Sequence, residues 1–377
     1  MKKFLALMMG VLMVVGLIAG CAAPAAETPA AAAPAAEAAA EPAAEPAAEP
    51  AAEEAAKPIF LGLLSGSSGT SWRDIMISDA TAVCDQYVAD GRIAGYKWAH
   101  NTNNGDATEQ ANLLRDFITD PEVTVIVVNP NSTDGLNGVI EEAIAAGKMV
   151  VSADATVSAP GVANVTLDHY SWYQKTAEYI CDYLKSGNVI DIHGLDGHPA
   201  DVLRENALDD TLAKYPDIKL IARESGQWDQ QTAKQVATQM LSSGQQIDGV
   251  FTQDGMAYGA LSAFLDAGKL PKIMFGDPGT AFWNEWAKIR EQGGEFTACT
   301  RPNPPGIFAT GVKLAVRLAE GKEFADGVLD NNVFYYKVGA FYTEENFEEV
   351  AKMLEGTSDD FLLSEVITDA DADALFK

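Results

Sequence analysis

From residue 57 onward the chain alternates short apolar runs with amphipathic stretches of about 10 to 15 residues, and this rhythm limits the available folds more than any other feature. Residues 57–64 (KPIFLGLL) read as a strand, SGSSGTSWRDIM as a loop entering a helix, and GYKWAHNT as the next strand. A helical stretch over 108–118 leads to VTVIVVNP, then to LNGVIEEAIAAG and KMVVSAD. A strand such as 123–128 (VTVIVV), apolar almost throughout, has no face for water and belongs in a parallel sheet covered on both sides. A second series begins near Asn164 and repeats the pattern through NVIDIHG, IKLIARES, GVFTQD, KIMFGD and FTACTRP. The expected fold is α/β, with two doubly wound lobes of similar size and parallel sheets. Ligands of such sheets sit at the carboxyl ends of the strands, where the loops converge.

The first 56 residues follow other rules. Residues 1–21 (MKKFLALMMGVLMVVGLIAGC) have a basic start, an apolar run and small residues before a cysteine, the form of a secretory signal. The segment Ile18-Ala19-Gly20-Cys21 resembles the lipobox of bacterial lipoproteins, which makes Cys21 the expected lipidation site. Residues 22–56 are almost entirely Ala, Pro and Glu, with seven glutamates and six prolines. They contain no aromatic residue and cannot build a core, so they read as a disordered tether.

The whole chain carries 26 Lys and Arg against 54 Asp and Glu, a formal charge of −28. Setting aside residues 1–56 leaves 24 positive and 47 negative side chains, a net of −23. That balance excludes nucleic acid as a partner, because neutralising phosphates requires clustered cations. Cys84, Cys181 and Cys299 show no metal-like spacing and read as buried thiols acting as small hydrophobes. Four histidines, the absence of HExxH and GxSxG, and no lysine after the SGSSGTS loop argue against an enzyme and imply no cofactor or metal.

Four segments, in order, resemble the type I periplasmic sugar-binding proteins, the ribose-, galactose- and glucose-binding receptors of ABC importers. Residues 197–204 (GHPADVLR) are similar to the GHPxxxxR stretch of glucose/galactose receptors, in which the His and Arg touch sugar. Gln227-Trp228-Asp229 resembles the loop whose aromatic ring stacks on the sugar. Residues 252–260 (TQDGMAYGA) and Phe275-Gly276-Asp277 resemble the two strand ends that follow. The resemblance implies two Rossmann-like lobes joined by three hinge crossings, near Thr166, Thr300 and Phe334. The first lobe is then 57–166 with 301–333, and the second 167–300 with 334–377. The tail after Leu354 is expected to pack on the second lobe or stay loose.

The resemblance also implies the ligand site. A sugar offers hydroxyls that donate and accept, together with apolar C–H faces, so it calls for carboxylates, planar forks and aromatic platforms. Asp154 and Asp277 stand at strand ends on opposite lobes, Arg204 offers paired donors, Trp72 and Trp228 offer platforms, and Gln253 offers both amide functions. His198, Ser68, Arg73 and Arg301 complete the expected set, with Asn303 as the alternative to Arg301. Each aspartate has a second reading as a helix cap, and each tryptophan as core. The pattern departs from the family at Ala200, where glucose/galactose receptors place an acid, and at Ala155, where ribose receptors place an arginine. The loop Ser68-Gly69-Thr70-Ser71-Trp72-Arg73 is closer to that of galactofuranose-type receptors. A neutral sugar or polyol is the expected ligand, with a uronate or nucleoside as the alternative. Capture by lobe closure and delivery to an ABC permease is the expected function, by a monomer lipid-anchored outside the cytoplasm through Cys21. Presentation of ligand to a membrane sensor is the other reading.

Overall fold

The computed structural model describes residues 57–103 and 105–377. The expected signal segment, the lipidation of Cys21 and the tether lie outside the described residues. No helix among the described residues is long and apolar enough to cross a membrane.

The first lobe opens with β1 (Phe60–Ser65), α1 (Ser71–Ala89), β2 (Gly95–His100), α2 (Ala107–Thr119), β3 (Val125–Val128), α3 (Asn137–Ala145), β4 (Met149–Asp154) and β5 (Ala163–Thr166). The chain then crosses to α4 (His169–Leu184), β6 (Gly187–His193), α5 (Pro199–Leu212), β7 (Ile218–Ser225), α6 (Gln230–Ser242) and β8 (Gly249–Phe251). The second lobe continues with α7 (Ala257–Ala267), β9 (Ile273–Gly276), α8 (Thr280–Glu291) and β10 (Thr297–Thr300). After a second crossing come α9 (Ile307–Ala319) and β11 (Val333–Tyr335), then α10 (Phe347–Leu354) and α11 (Asp369–Asp373).

The strands form two sheets, ordered β11-β5-β4-β3-β1-β2 and β10-β9-β8-β6-β7, and every pairing within them is parallel. All four residues of β3 are buried, as a strand covered on both faces requires. Helices α1 and α9 cover one face of the first sheet, and α2 and α3 the other. Cys84, Cys181 and Cys299 are free and buried, and burial pushes the Cys84 and Cys181 thiols up to about 12.

Two boundaries differ from the expected ones. Phe334 and Tyr335 belong to the first sheet, because β11 pairs with β5 through Val333, Phe334 and Tyr335. The tail is ordered and divides between the lobes. Phe347 packs on Trp283 and Trp286 of α8, and Leu362 bridges Gly279 in the second lobe. The chain then returns to the first lobe, where Asp369 and Asp373 meet the buried Arg317 of α9, and Phe376 stacks on Phe324. The charge match between α11 and α9 therefore places the last ten or so residues on the lobe opposite to the one expected.

Candidate functional site

The strand ends of both sheets face one another across a small cavity. Its wall on the first lobe comes from Ser67 and Thr70 after β1, Trp72 and Arg73 of α1, and Asp154 at the end of β4. The second lobe supplies His198, Arg204, Trp228 and Asp254, and the second crossing supplies Asn303.

Local chemistry fixes each of these groups. Thr70 caps α1 through the Arg73 N–H, which puts Trp72 and Arg73 on the first turn above the sheet edge. Trp72 donates from Nε1 to the Asn303 carbonyl at 2.8 Å, while the Arg73 guanidinium lies 4.7 Å from the Trp72 ring centre. Arg73 Nε donates to Ser67 Oγ at 3.0 Å, and its Nη1 stands 3.6 Å from Asp154 Oδ2. Asp154 has a φ of +76°, a left-handed geometry unusual outside glycine, and such strain collects at functional positions. Thr166 Oγ1 donates to its carbonyl at 2.5 Å and Asn129 Nδ2 to its Oδ2 at 3.0 Å. Burial pushes the Asp154 carboxyl up, against the pull of Arg73 and Arg204.

On the facing lobe, Pro199 opens α5 at its first turn and His198 caps it, accepting from the Ala200 N–H at 3.2 Å. Arg204, one turn on, is fully buried. Its Nη1 donates to Asp254 Oδ2 at 2.6 Å and to Gln253 Oε1 at 3.1 Å, and its guanidinium lies 4.6 Å from the Trp172 ring centre. Gln227 and Trp228 both take left-handed backbone geometry, with φ of +58° and +53°. The indole of Trp228 donates to Gln253 Oε1 at 3.1 Å and meets the His198 ring edge to face at 4.7 Å. Burial, followed by the nearby Arg73, holds His198 well below the ordinary imidazole range.

Of the expected set, Trp72, Arg73, Asp154, His198, Arg204 and Trp228 come together on the cavity wall. The other four do not. Ser68 is exposed to solvent, and its neighbour Ser67 takes the wall position, because Arg73 ties down the Ser67 hydroxyl. Gln253 stands behind the wall and holds Arg204 and Trp228 in place through one carbonyl. Asp277 is a buried helix cap. Its carboxylate accepts from the Gly255 and Ala257 N–H groups at 2.9 and 2.8 Å at the start of α7, the second reading for a strand-end aspartate. Arg301 braces the crossings, donating to the carbonyls of Trp172 and Val338 at 3.3 and 3.2 Å. Asn303, the alternative to Arg301, lines the cavity instead.

Sequence reasoning passed over Asp254 and Asn129. Asp254 follows directly on Gln253 in the quoted TQDG stretch, and Asn129 ends the apolar run of β3, so position at a strand end was the available signal.

Four buried polar atoms of cavity-lining residues have no hydrogen-bond partner among the described residues: Asp154 Oδ1, Asn303 Oδ1, Arg204 Nε and His198 Nε2. An unpaired buried polar atom costs about 1–3 kcal/mol, so a set of four around one cavity marks a place where another molecule completes the bonding. Two of these atoms accept and the Arg204 Nε–H donates. Arg73 with Asp154, and Arg204 with Asp254, give the wall two cations and two anions, while the buried His198 is neutral.

Residues 61–323 match the family model described as "Periplasmic binding protein domain". The chain belongs to this family. It is 29% identical over 227 residues to a xylitol-binding protein of Mycolicibacterium smegmatis, a match covering 59% of this chain and 64% of that protein. It is 30% identical over 225 residues to the D-allose-binding periplasmic protein of Escherichia coli, covering 57% of this chain and 71% of that one. A solved ABC transporter solute-binding protein from Thermobispora bispora superposes with a TM-score of 0.75 at 25% identity, over 84% of this chain and 94% of its own. These relatives are named as binding proteins, and the match spans just under two thirds of the first one's length.

Proposed function

We propose that this protein captures a neutral monosaccharide or polyol between its two lobes and delivers it to the membrane subunits of an ABC importer. The observation that carries the ligand class is the set of four unpartnered buried atoms on a wall whose ion pairs already balance. A hydroxylated ring or chain offers donors and acceptors to all four at no cost in net charge. A uronate brings an anion that finds no uncompensated cation, since Arg73 and Arg204 each have a carboxylate partner. The apolar faces of a sugar suit Trp72 and Trp228, which stand on opposite lobes. The relatives that bind xylitol and D-allose support the same class.

Thermal melting in the presence of D-allose, xylitol, D-ribose, a uronate and a nucleoside tests this reading. A ligand at about 1,000 times its Kd stabilises by roughly 4 kcal/mol, which is readily seen. A neutral sugar or polyol is expected to raise the melting temperature while the uronate does not; a response confined to the uronate or the nucleoside contradicts the reading. We further propose that the protein is held outside the cytoplasm by a lipid on Cys21, on the strength of the apolar run that ends there. Cys21→Ser is expected to move it from the membrane to the soluble fraction, and unchanged membrane retention counts against the anchor.

A further inference from the structure

The ring of His169 lies at the first crossing between the lobes, as the first residue of α4 and three residues beyond the last of β5. It is buried and touches both sides of the site. Its Nε2 stands 3.1 Å from the carbonyl oxygen of Asp154 on the first sheet, and its Nδ1 stands 3.1 Å from Nη2 of Arg204 on α5. A carbonyl only accepts, so Nε2 carries the proton; a guanidinium only donates, so Nδ1 offers a lone pair. Both partners therefore require the same neutral tautomer. The two residues joined in this way each carry an unpartnered atom on the cavity wall, Asp154 Oδ1 and Arg204 Nε. The carbonyl that His169 engages belongs to a residue with left-handed backbone geometry.

We propose that His169 is a positioning residue of the site, a neutral imidazole that couples Asp154 of one lobe to Arg204 of the other, so that ligand affinity is lost when Nδ1 is protonated. The proposal rests on reading the cavity as the sugar site. A proton on Nδ1 would set an N–H and a positive charge against the Arg204 guanidinium, leaving two donors face to face and no acceptor between them. Burial, and after it Arg204, holds His169 well below the ordinary imidazole range, in keeping with a ring that stays neutral in this arrangement. The charged and titratable groups around it are Arg204 and His198 of α5, Asp154 of β4, Asp254 beyond Arg204, and Arg73 of α1 beyond His198. Asp168, next to it, is engaged in capping α4.

The sign follows from linkage. With the lobes apart the ring keeps Arg204, because α4 and α5 pack on each other, but it gives up the Asp154 carbonyl and much of its burial, the largest cause of its depression, and so moves back toward the ordinary imidazole range. Closure must then expel any proton it holds. Affinity is flat well above the range in which the open-lobe ring titrates and falls as the pH drops through it, approaching about tenfold per unit from this group. His198, also buried and depressed, adds to the fall, so a variant is needed to isolate the contribution of His169.

Two substitutions make the test. His169→Phe keeps a ring of similar volume and removes both hydrogen bonds. His169→Gln keeps one donor and one acceptor about as far apart as the two ring nitrogens, and it does not titrate. Calorimetric Kd values for D-allose and xylitol are measured between pH 8 and pH 5 for the wild type and both variants, with apo melting as the check on folding. The expected result is a Kd raised about 10- to 100-fold in the Phe variant at pH 8, from loss of a bond to a charged group. The Gln variant is expected to recover most of that loss and to show a shallower acid dependence than the wild type. A folded Phe variant that binds like wild type, or a Gln variant with the wild-type acid dependence, overturns the proposal. Failure of every neutral sugar and polyol to bind the wild type overturns the sugar reading, and the coupling role with it.

Discussion

Gly194 lies so close beneath Trp228 that a Cβ at that position would stand 2.2 Å from the indole ring. The end of β6 must therefore lack a side chain for the ring to lie over it and donate to Gln253. Gly194→Ala is expected to push Trp228 off the wall and weaken sugar binding by about tenfold or more, ~1.4 kcal/mol. The check is calorimetric titration beside an apo melt; an unchanged Kd in the folded variant would show that Trp228 does not hold the ligand. At this scale the sequence is informative where residue type and position agree. Trp72, Arg204 and Trp228 are large groups with polar tips in a loop or in the first two turns of a helix, and all three reach the cavity. Asp277 shows where that reasoning fails. A carboxylate after a strand serves equally as ligand contact or as cap to the next helix, and only the distances to the Gly255 and Ala257 N–H groups separate the two. His169 carries no local signal, because both its partners are distant in sequence, 15 and 35 residues away.

The alternation of strands and helices was legible at the level of elements because a buried parallel strand has no polar face and a covering helix has one apolar stripe. Strand β3 and the helices that flank it follow from that rule without reference to the rest of the molecule. The tail does not. Helices α10 and α11 span eight and five residues, too short for periodicity to identify. What places α11 is a cluster of ion pairs made at long range. Asp369 meets Lys313 and Arg317, Asp373 meets Arg317 and Lys322, and the Tyr87 hydroxyl joins from α1. A fully buried guanidinium such as Arg317 needs partners, and losing them is costly. The same clustering makes the first lobe the natural resting place of the tail. Arg301 gives a related lesson, since a cation at a crossing is satisfied by two backbone carbonyls from neighbouring segments before it can reach a ligand.

Across the whole molecule, a strongly acidic chain closes around a cavity whose own charges cancel. The net of −23 over residues 57–377 is silent about the ligand. The ligand class comes instead from a few buried groups, two ion pairs and four unpartnered atoms, contributed by both lobes and a crossing between them. On the proposed function, because neither lobe holds the full set, binding and closure are one event: ligand favours the closed arrangement by the contacts it makes only there. The most direct test is calorimetric titration of whichever neutral sugar or polyol raises the melting temperature, into the wild type and into Trp228→Ala. The predicted result is one saturable site in the wild type and no measurable heat of binding in the variant, with apo melting little changed. Equal binding by the two proteins would place the ligand elsewhere and contradict the account.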